Sequence, residues 1–175
     1  MNENNFTSYA VDRKPEGKFG LLRIGLIALY IAFALLGFLI VYTIGIIPVY
    51  AICPLLLYIL WLATWRYTQV TYEYTVEVGD ITFTRSYGGR KKVEMLRIHV
   101  REATAIHPTE DEVGVGYTAV YDFRSSTKAP DSYCIVFLNE KEERCLAYFE
   151  ATRKAIKLLS LYNSAAVSGK KELRY

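Results

Sequence analysis

The chain has 175 residues, 52% of them hydrophobic, with 21 Lys and Arg against 18 Asp and Glu and a net charge of +3. Those averages suit one soluble domain, yet from Ile24 to Trp65 there is no Asp, Glu, Lys, Arg or His. Such a run excludes a purely soluble chain, a disordered polypeptide and a disulfide-rich secreted scaffold.

Residues 1–20 read as a cytoplasmic N-terminal segment. The uncharged run that follows is about twice the ~20 residues of one helical crossing. It predicts two antiparallel helices, about Leu21–Thr43 and Ile46–Trp65, turned at Gly45 and Pro48, so that 21–65 form a transmembrane hairpin in the lipid bilayer. Backbone polar groups at that depth must pair within the segment, which excludes extended strands. Arg13, Lys14, Lys18 and Arg23 precede the first helix and Arg66 and Arg85 follow the second, while the turn carries no charge. By the positive-inside rule both termini face the cytoplasm, which makes this a two-pass protein of the cell membrane. Tyr42 and Tyr50 fall near the outer interface, and Tyr58, Trp61 and Trp65 near the inner one. Tyr30 lies deeper and is expected to face the partner helix, and Ala28 and Ala32, one turn apart, suit close helix approach. Ala32-Phe33-Ala34 has the form of a signal-peptide cleavage site, but strong apolar sequence continues well beyond it. The run holds no ionisable residue, which favours an anchor over a transport path.

Residues 66–163 read as one cytoplasmic domain. Residues 66–175 carry 17 basic and 15 acidic side chains, an excess too small to indicate nucleic-acid binding. Thr68 to Val78 alternates as a half-buried strand, with Val70, Tyr72, Tyr74, Val76 and Val78 on one face. Gly79-Asp80 turns it into Ile81–Ser86, and Gly88-Gly89 leads into Lys91–Ile98. Further strands are expected at Arg101–His107, Val115–Phe123, Tyr133–Leu138 and Arg144–Phe149. Ala151, Ala155, Leu158, Leu159 and Tyr162 then recur at helical spacing, and 164–175 read as a flexible tail. The expectation is an α+β chain in which the membrane hairpin precedes a seven-stranded antiparallel β-sandwich or barrel with a C-terminal helix. That order looks like the pleckstrin-homology (PH) type of fold.

The succession Val11-Asp12-Arg13-Lys14, two membrane helices, Tyr72-Glu73-Tyr74, Val78-Gly79-Asp80-Ile81, Arg90-Lys91-Lys92 and one final helix resembles an uncharacterised family of small two-pass membrane proteins. The resemblance implies a bacterial PH-like domain and a source among Gram-positive anaerobes, and it carries over no reaction and no catalytic residue.

Chemistry-bearing residues are few. Cys53 lies in the second helix; if Leu138 faces Glu143, Cys134 and Cys145 share one sheet face as small buried residues. His99 and His107 stand too far apart along an extended strand to bind one metal ion. Gly114-Val115-Gly116 lacks the ending of a phosphate loop, and Glu110, Asp111 and Glu112 form a solvated run. No catalytic, metal or cofactor constellation is expected. Arg85, Arg90, Lys91, Lys92 and Arg97 form the one basic group with a plausible mechanism, as candidate contacts for anionic lipid head groups. The reading is a non-catalytic, membrane-anchored interaction or scaffold protein that contacts a protein partner or itself. The alternative is lipid or small-molecule sensing at the inner leaflet.

Overall fold

The computed structural model describes residues 6–45, 48–89, 91–111, 116–169 and 173. The chain divides into two units, one spanning Lys14–Val70 and the other combining Met1–Arg13 with Thr71–Tyr175.

The first unit is a helical hairpin of α1 (Lys18–Ile44) and α2 (Val49–Thr64), followed by a 3-10 turn over Trp65–Thr68. Both helices are long and apolar enough to cross a membrane: mean hydropathy reaches 2.8 in Lys18–Thr43 and 1.2 in Ala51–Thr68. At ~1.5 Å per residue α1 extends about 40 Å, more than a ~30 Å bilayer core. It ends at Gly45, whose left-handed φ of 73° lets its N–H reach the Val41 carbonyl at 2.9 Å. The less exposed positions recur every three or four residues: Leu26, Tyr30, Phe33, Gly37 and Ile40 on α1, and Cys53, Leu57, Leu60 and Thr64 on α2. That is the spacing of a helix-packing seam.

Gly37 is buried in this seam, and a Cβ there would lie 2.3 Å from Cys53 Sγ. Close approach therefore centres on Gly37; Ala28 and Ala32 are exposed. Tyr30 does face α2, as its depth suggests, with its hydroxyl 2.6 Å from Thr64 Oγ1. Thr64 donates its own proton to the Leu60 carbonyl at 2.6 Å, so Tyr30 is the donor between the helices. Arg23 Nη2 donates to the Thr68 carbonyl at 3.1 Å, tying the base of α1 to the 3-10 turn.

The second unit packs two four-stranded sheets. One has the order β1-β2-β3-β4, with β1 Phe6–Asp12, β2 Val70–Glu77, β3 Asp80–Tyr87 and β4 Val93–His99. The other has the order β5-β7-β8-β6, with β5 Ala105–Pro108, β6 Ala119–Asp122, β7 Ser132–Leu138 and β8 Arg144–Glu150. Among the described residues the strands number eight, where the pattern predicts seven. The additional one is β1, inside the segment read as an N-terminal extension. Its pairing with β2 runs from Phe6↔Glu77 to Asp12↔Thr71. The sheets are not wholly antiparallel either, because β6 runs parallel to β8. The strand expected at Arg101–His107 shortens to β5 because Val100–Glu102 coil into a 3-10 turn. Of the strand expected over Val115–Phe123, Ala119–Asp122 form β6, and Val115 lies outside the described residues.

Alternation in β2 is as predicted for Val70, Tyr72, Tyr74 and Val76, which are buried, but Val78, expected on the same face, is exposed beyond the end of the strand. The turn to β3 sits one residue earlier than expected, at Val78 (φ 50°) and Gly79 (φ 91°). Both sheets meet in an aromatic core. Phe83 stacks on Phe123 at 4.6 Å and meets Phe149 edge-on at 5.8 Å, and Tyr74 meets Phe149 at 5.5 Å.

The helix α3 (Arg153–Tyr162) buries Ala155, Leu158 and Leu159. Thr152 caps it, accepting from the Ala155 N–H at 3.2 Å, and the Thr152 N–H itself donates to Tyr74 Oη at 3.1 Å. After the helix, Asn163 Nδ2 donates to the carbonyls of Val100 and Ala103 at 2.9 and 3.1 Å. Residues 164–169, the first part of the segment expected to be a flexible tail, are tied to β5, and residues 170–172, 174 and 175 lie outside the described residues. The Ile106 N–H donates to the Ala166 carbonyl at 2.7 Å, the Ser168 N–H donates to the Ile106 carbonyl at 2.9 Å, and Ala166 and Leu173 are buried.

Candidate functional site

Where β1, β3 and β6 end, charged side chains gather at the margin of the aromatic core. Arg13, one residue past β1, places its guanidinium 5.9 Å from the Tyr72 ring. Its Nη1 lies 3.3 Å from Asp122 Oδ2 and donates to the Arg124 carbonyl at 2.9 Å. Arg124 Nε donates to Asp122 Oδ1 at 2.9 Å, and the Arg124 guanidinium sits 4.4 Å from the Tyr148 ring centre. Burial alone would raise the Asp122 carboxyl; the hydrogen bonds and charge of Arg124, with the charge of Arg13, outweigh it and hold the pKa below the usual carboxylate range. Burial pushes the Tyr72 hydroxyl up, against the opposing charges of Arg13 and Arg85. This network fastens the end of β1 to the opposite sheet, and its groups are occupied with one another.

Three of the five candidate lipid contacts, Arg85, Lys92 and Arg97, have partners of their own. Arg85 belongs to the core-facing side of β3, where it hydrogen-bonds Tyr72 and lies 5.0 Å from the Tyr87 ring. Arg90 falls outside the described residues. Lys91 is exposed. Lys92 forms an ion pair with Glu73, whose carboxyl that hydrogen bond holds below its ordinary pKa. Arg97 Nη2 lies 3.2 Å from Glu94 Oε2.

That last pair marks an irregularity. In the β3–β4 register Phe83 faces Leu96 but Thr84 faces Glu94, so Met95 is an extra residue. The bulge resets the alternation. Glu94 and Arg97, three apart in sequence, consequently share the solvent face, while Val93, Leu96 and Ile98 take the other. As the last strand of its sheet β4 is an edge, and Val93 and Met95 are 46% and 37% exposed. Beside it lies a cleft of about 420 Å³ with Leu96, Ile98, Tyr121, Phe137 and Leu138 among its walls and Arg97, Glu102 and Glu140 at its rim. Sequence reasoning passed over this edge, because the extra residue at Met95 is visible only against β3.

Of the remaining candidates for chemistry, Cys134, Cys145 and His107 are core groups. Leu138 faces Arg144 rather than Glu143, since the turn takes in Asn139 through Glu143, with Asn139 Oδ1 accepting from the N–H groups of Lys141 and Glu143 at 2.9 Å each. One residue of slip exchanges the faces, so Cys134 (opposite Tyr148) and Cys145 (opposite Phe137) point to opposite sides of the sheet. Cys134 instead touches His107, with Sγ 3.4 Å from Nδ1, and both are buried. His99 lies at the surface, its Nδ1 2.5 Å from Asp80 Oδ1, a hydrogen bond that raises its pKa. Among the described residues no three His, Cys, Asp or Glu side chains are grouped to hold a metal ion.

No curated protein and no solved structure matches the chain. A family model described as "Bacterial PH-like domain (DUF6106)" matches residues 3–168, a stretch that takes in β1, both helices of the hairpin and the β-unit through α3. The chain belongs to this family of bacterial PH-like domains.

Proposed function

We propose that this chain is a two-pass membrane protein whose PH-like unit works at the cytoplasmic surface as a non-catalytic interaction module. The observation that carries the reading is the pairing of β1 with β2. The apolar hairpin is inserted between two neighbouring strands of one sheet, so a chain that enters a bilayer after β1 has to return to the same side before β2. An even number of crossings follows, and two helices of sufficient length are there to make them. Lys14, Lys18, Arg23 and Arg66 flank the hairpin while residues 45–48 carry no charge, which by the positive-inside rule puts the β-unit in the cytoplasm. An interaction role is supported by the open β4 edge, the kind of surface that accepts a further strand.

The test is labelling of intact cells with a membrane-impermeant maleimide. Pro48→Cys in the connection is expected to react from outside, and Ser168→Cys only after the cells are opened. External labelling of Ser168→Cys overturns the topology.

The alternative, anionic-lipid sensing through Arg85, Arg90, Lys91, Lys92 and Arg97, has less support. Arg85, Lys92 and Arg97 already engage Tyr72, Glu73 and Glu94.

A further inference from the structure

We infer that β4 pairs with β4 of a second copy of this chain, in the antiparallel register that sets Glu94 opposite the partner's Arg97. The inference rests on the interaction-module reading above and names its partner.

Cross-strand neighbours in a sheet must lie on the same face. Before the bulge, Lys92 and Glu94 point to solvent and Val93 to the cleft side; after it, Arg97 and His99 point to solvent and Leu96 and Ile98 to the cleft side. A regular strand laid along this edge falls out of step at Met95, which is how a bulge ordinarily protects an edge from chance pairing. A second copy carries the same step at the same place. In the antiparallel register centred between Met95 and Leu96, Val93 meets the partner's Ile98, Met95 meets the partner's Leu96, and Glu94 meets the partner's Arg97. Two-fold symmetry repeats each contact. Apolar residues then face apolar ones, both Glu–Arg pairs are complementary, and Lys92 meets the partner's His99, whose ring carries Asp80 beside it.

Neighbouring registers fail. Moving the partner by one residue sets charged Glu94 against the partner's Leu96 or Ile98, on the wrong face. Moving it by two in one direction sets Lys92 against the partner's Arg97; moving it by two in the other sets Leu96 against the partner's Arg97. The central register also brings the partner's Val93 and Met95, both exposed in the single chain, towards the apolar wall formed by Leu96, Ile98 and Leu138. Confinement of both copies to one membrane raises their effective concentration, so a short strand pair is sufficient.

The experiment uses full-length chains with two different tags, co-expressed, solubilised and co-isolated through one tag. Glu94→Arg leaves two arginines on the edge and Arg97→Glu leaves two glutamates. Each variant on its own is expected to lose co-isolation about tenfold, since two attractive pairs become repulsive. The two variants expressed together are expected to recover it, because every Arg then meets a Glu across the strands. That recovery cannot come from the Glu94–Arg97 contact within one chain, which both variants lack. A second measurement is disulfide crosslinking in native membranes. Met95→Cys, beside the two-fold axis, is expected to crosslink to its copy, and Ser8→Cys on the opposite edge of the sheet is not.

Failure of the mixed variants to recover while the wild-type chain self-associates overturns this register. A wild-type chain that does not self-associate overturns self-pairing altogether. In that case crosslinks from Met95→Cys to another protein leave the interaction-module reading standing, and their absence removes both.

Discussion

Thr71 Oγ1 donates a 2.7 Å hydrogen bond to Asp12 Oδ1, although the two residues lie 59 positions apart in sequence. Their backbones are also directly paired as the last rung of β1 and β2. The whole helical hairpin is therefore a loop of one sheet connection, closed at its base by an ordinary strand ladder. Arg13, the next residue, adds its contacts to Asp122 and the Arg124 carbonyl. The chain is thus gripped by the β-unit up to the residue where the helical unit begins.

Val78 is expected to be a stabilising site. It is 80% exposed and holds a φ of 50°, a conformation that a β-branched residue adopts only under strain. The turn Val78-Gly79 has positive φ at both positions, for which Asn-Gly is the favoured pair. Val78→Asn should raise stability by about 1 kcal/mol, seen as a higher melting temperature of the full chain in detergent. An unchanged or lower value would show that the turn is not strained.

Tyr74 is expected to govern alkaline stability. Its hydroxyl accepts from the Thr152 N–H, and burial pushes its pKa up to about 12 from the usual 10. A folded-state pKa above the unfolded one means that the folded chain holds the proton longer. Its contribution is complete below pH 10 and is lost as pH rises from 10 towards about 12. Tyr74→Phe should flatten this part of a stability-against-pH curve and, by leaving the Thr152 N–H without its acceptor, cost about 1–3 kcal/mol at neutral pH. Denaturation at several pH values measures both effects.

Asp122 is expected to act in the acid range. Its folded pKa is below the ordinary value of 3.8, so its contribution is present above that value and fades as pH falls through the lower one. Asp122→Asn should cost about 2 kcal/mol at pH 7 by weakening charge-assisted bonds to Arg13 and Arg124, and should lessen the loss of stability on acidification. Equal acid sensitivity in the variant and the parent would rule this carboxylate out.

Within the helical hairpin, Gly37→Ala should lower thermal stability, because the new methyl group would meet Cys53 Sγ at 2.3 Å. Cys53→Ala in the same chain should restore most of the loss by removing the sulfur. A double variant as unstable as the single one would mean that the helices do not approach at this point.

How much of this was legible in the sequence depends on the range of the interaction. The helical hairpin announces itself because charge is absent over a long continuous stretch. Its seam does not, since residues on every side of both helices are apolar and only contact distinguishes Gly37 from Ala28. The alternation of β2 is local and readable. β1 alternates in burial over Phe6–Asp12, but with Phe6 and Ala10 on the exposed side and Thr7 on the buried one its sequence hides this, and the strand that completes it lies beyond two helices. Arg13 reads as a flanking charge until Asp122 is placed beside it. Asp122 and Arg124 did carry a usable signal, since residues two apart at a strand end share a face. Arg85 and Lys92 find their partners, Tyr72 and Glu73, on β2, and Arg97 finds Glu94 within β4 across a bulge visible only against β3, none of which proximity in sequence shows.

The interruption of the sheet by the hairpin also sets a timetable. At ~5–20 residues per second, roughly 3–12 s of synthesis separate the end of β1 from the start of β2. During that interval β1 has no partner strand, and the apolar helices emerge before anything exists to complete the sheet. On the two-pass reading proposed above, the β1–β2 ladder can close only once the chain has made its outward and return passage. A hairpin stranded halfway would leave β1 and β2 on opposite sides of the bilayer, with bare edges. On that reading, completion of the β-unit is itself a record that membrane insertion went to the end.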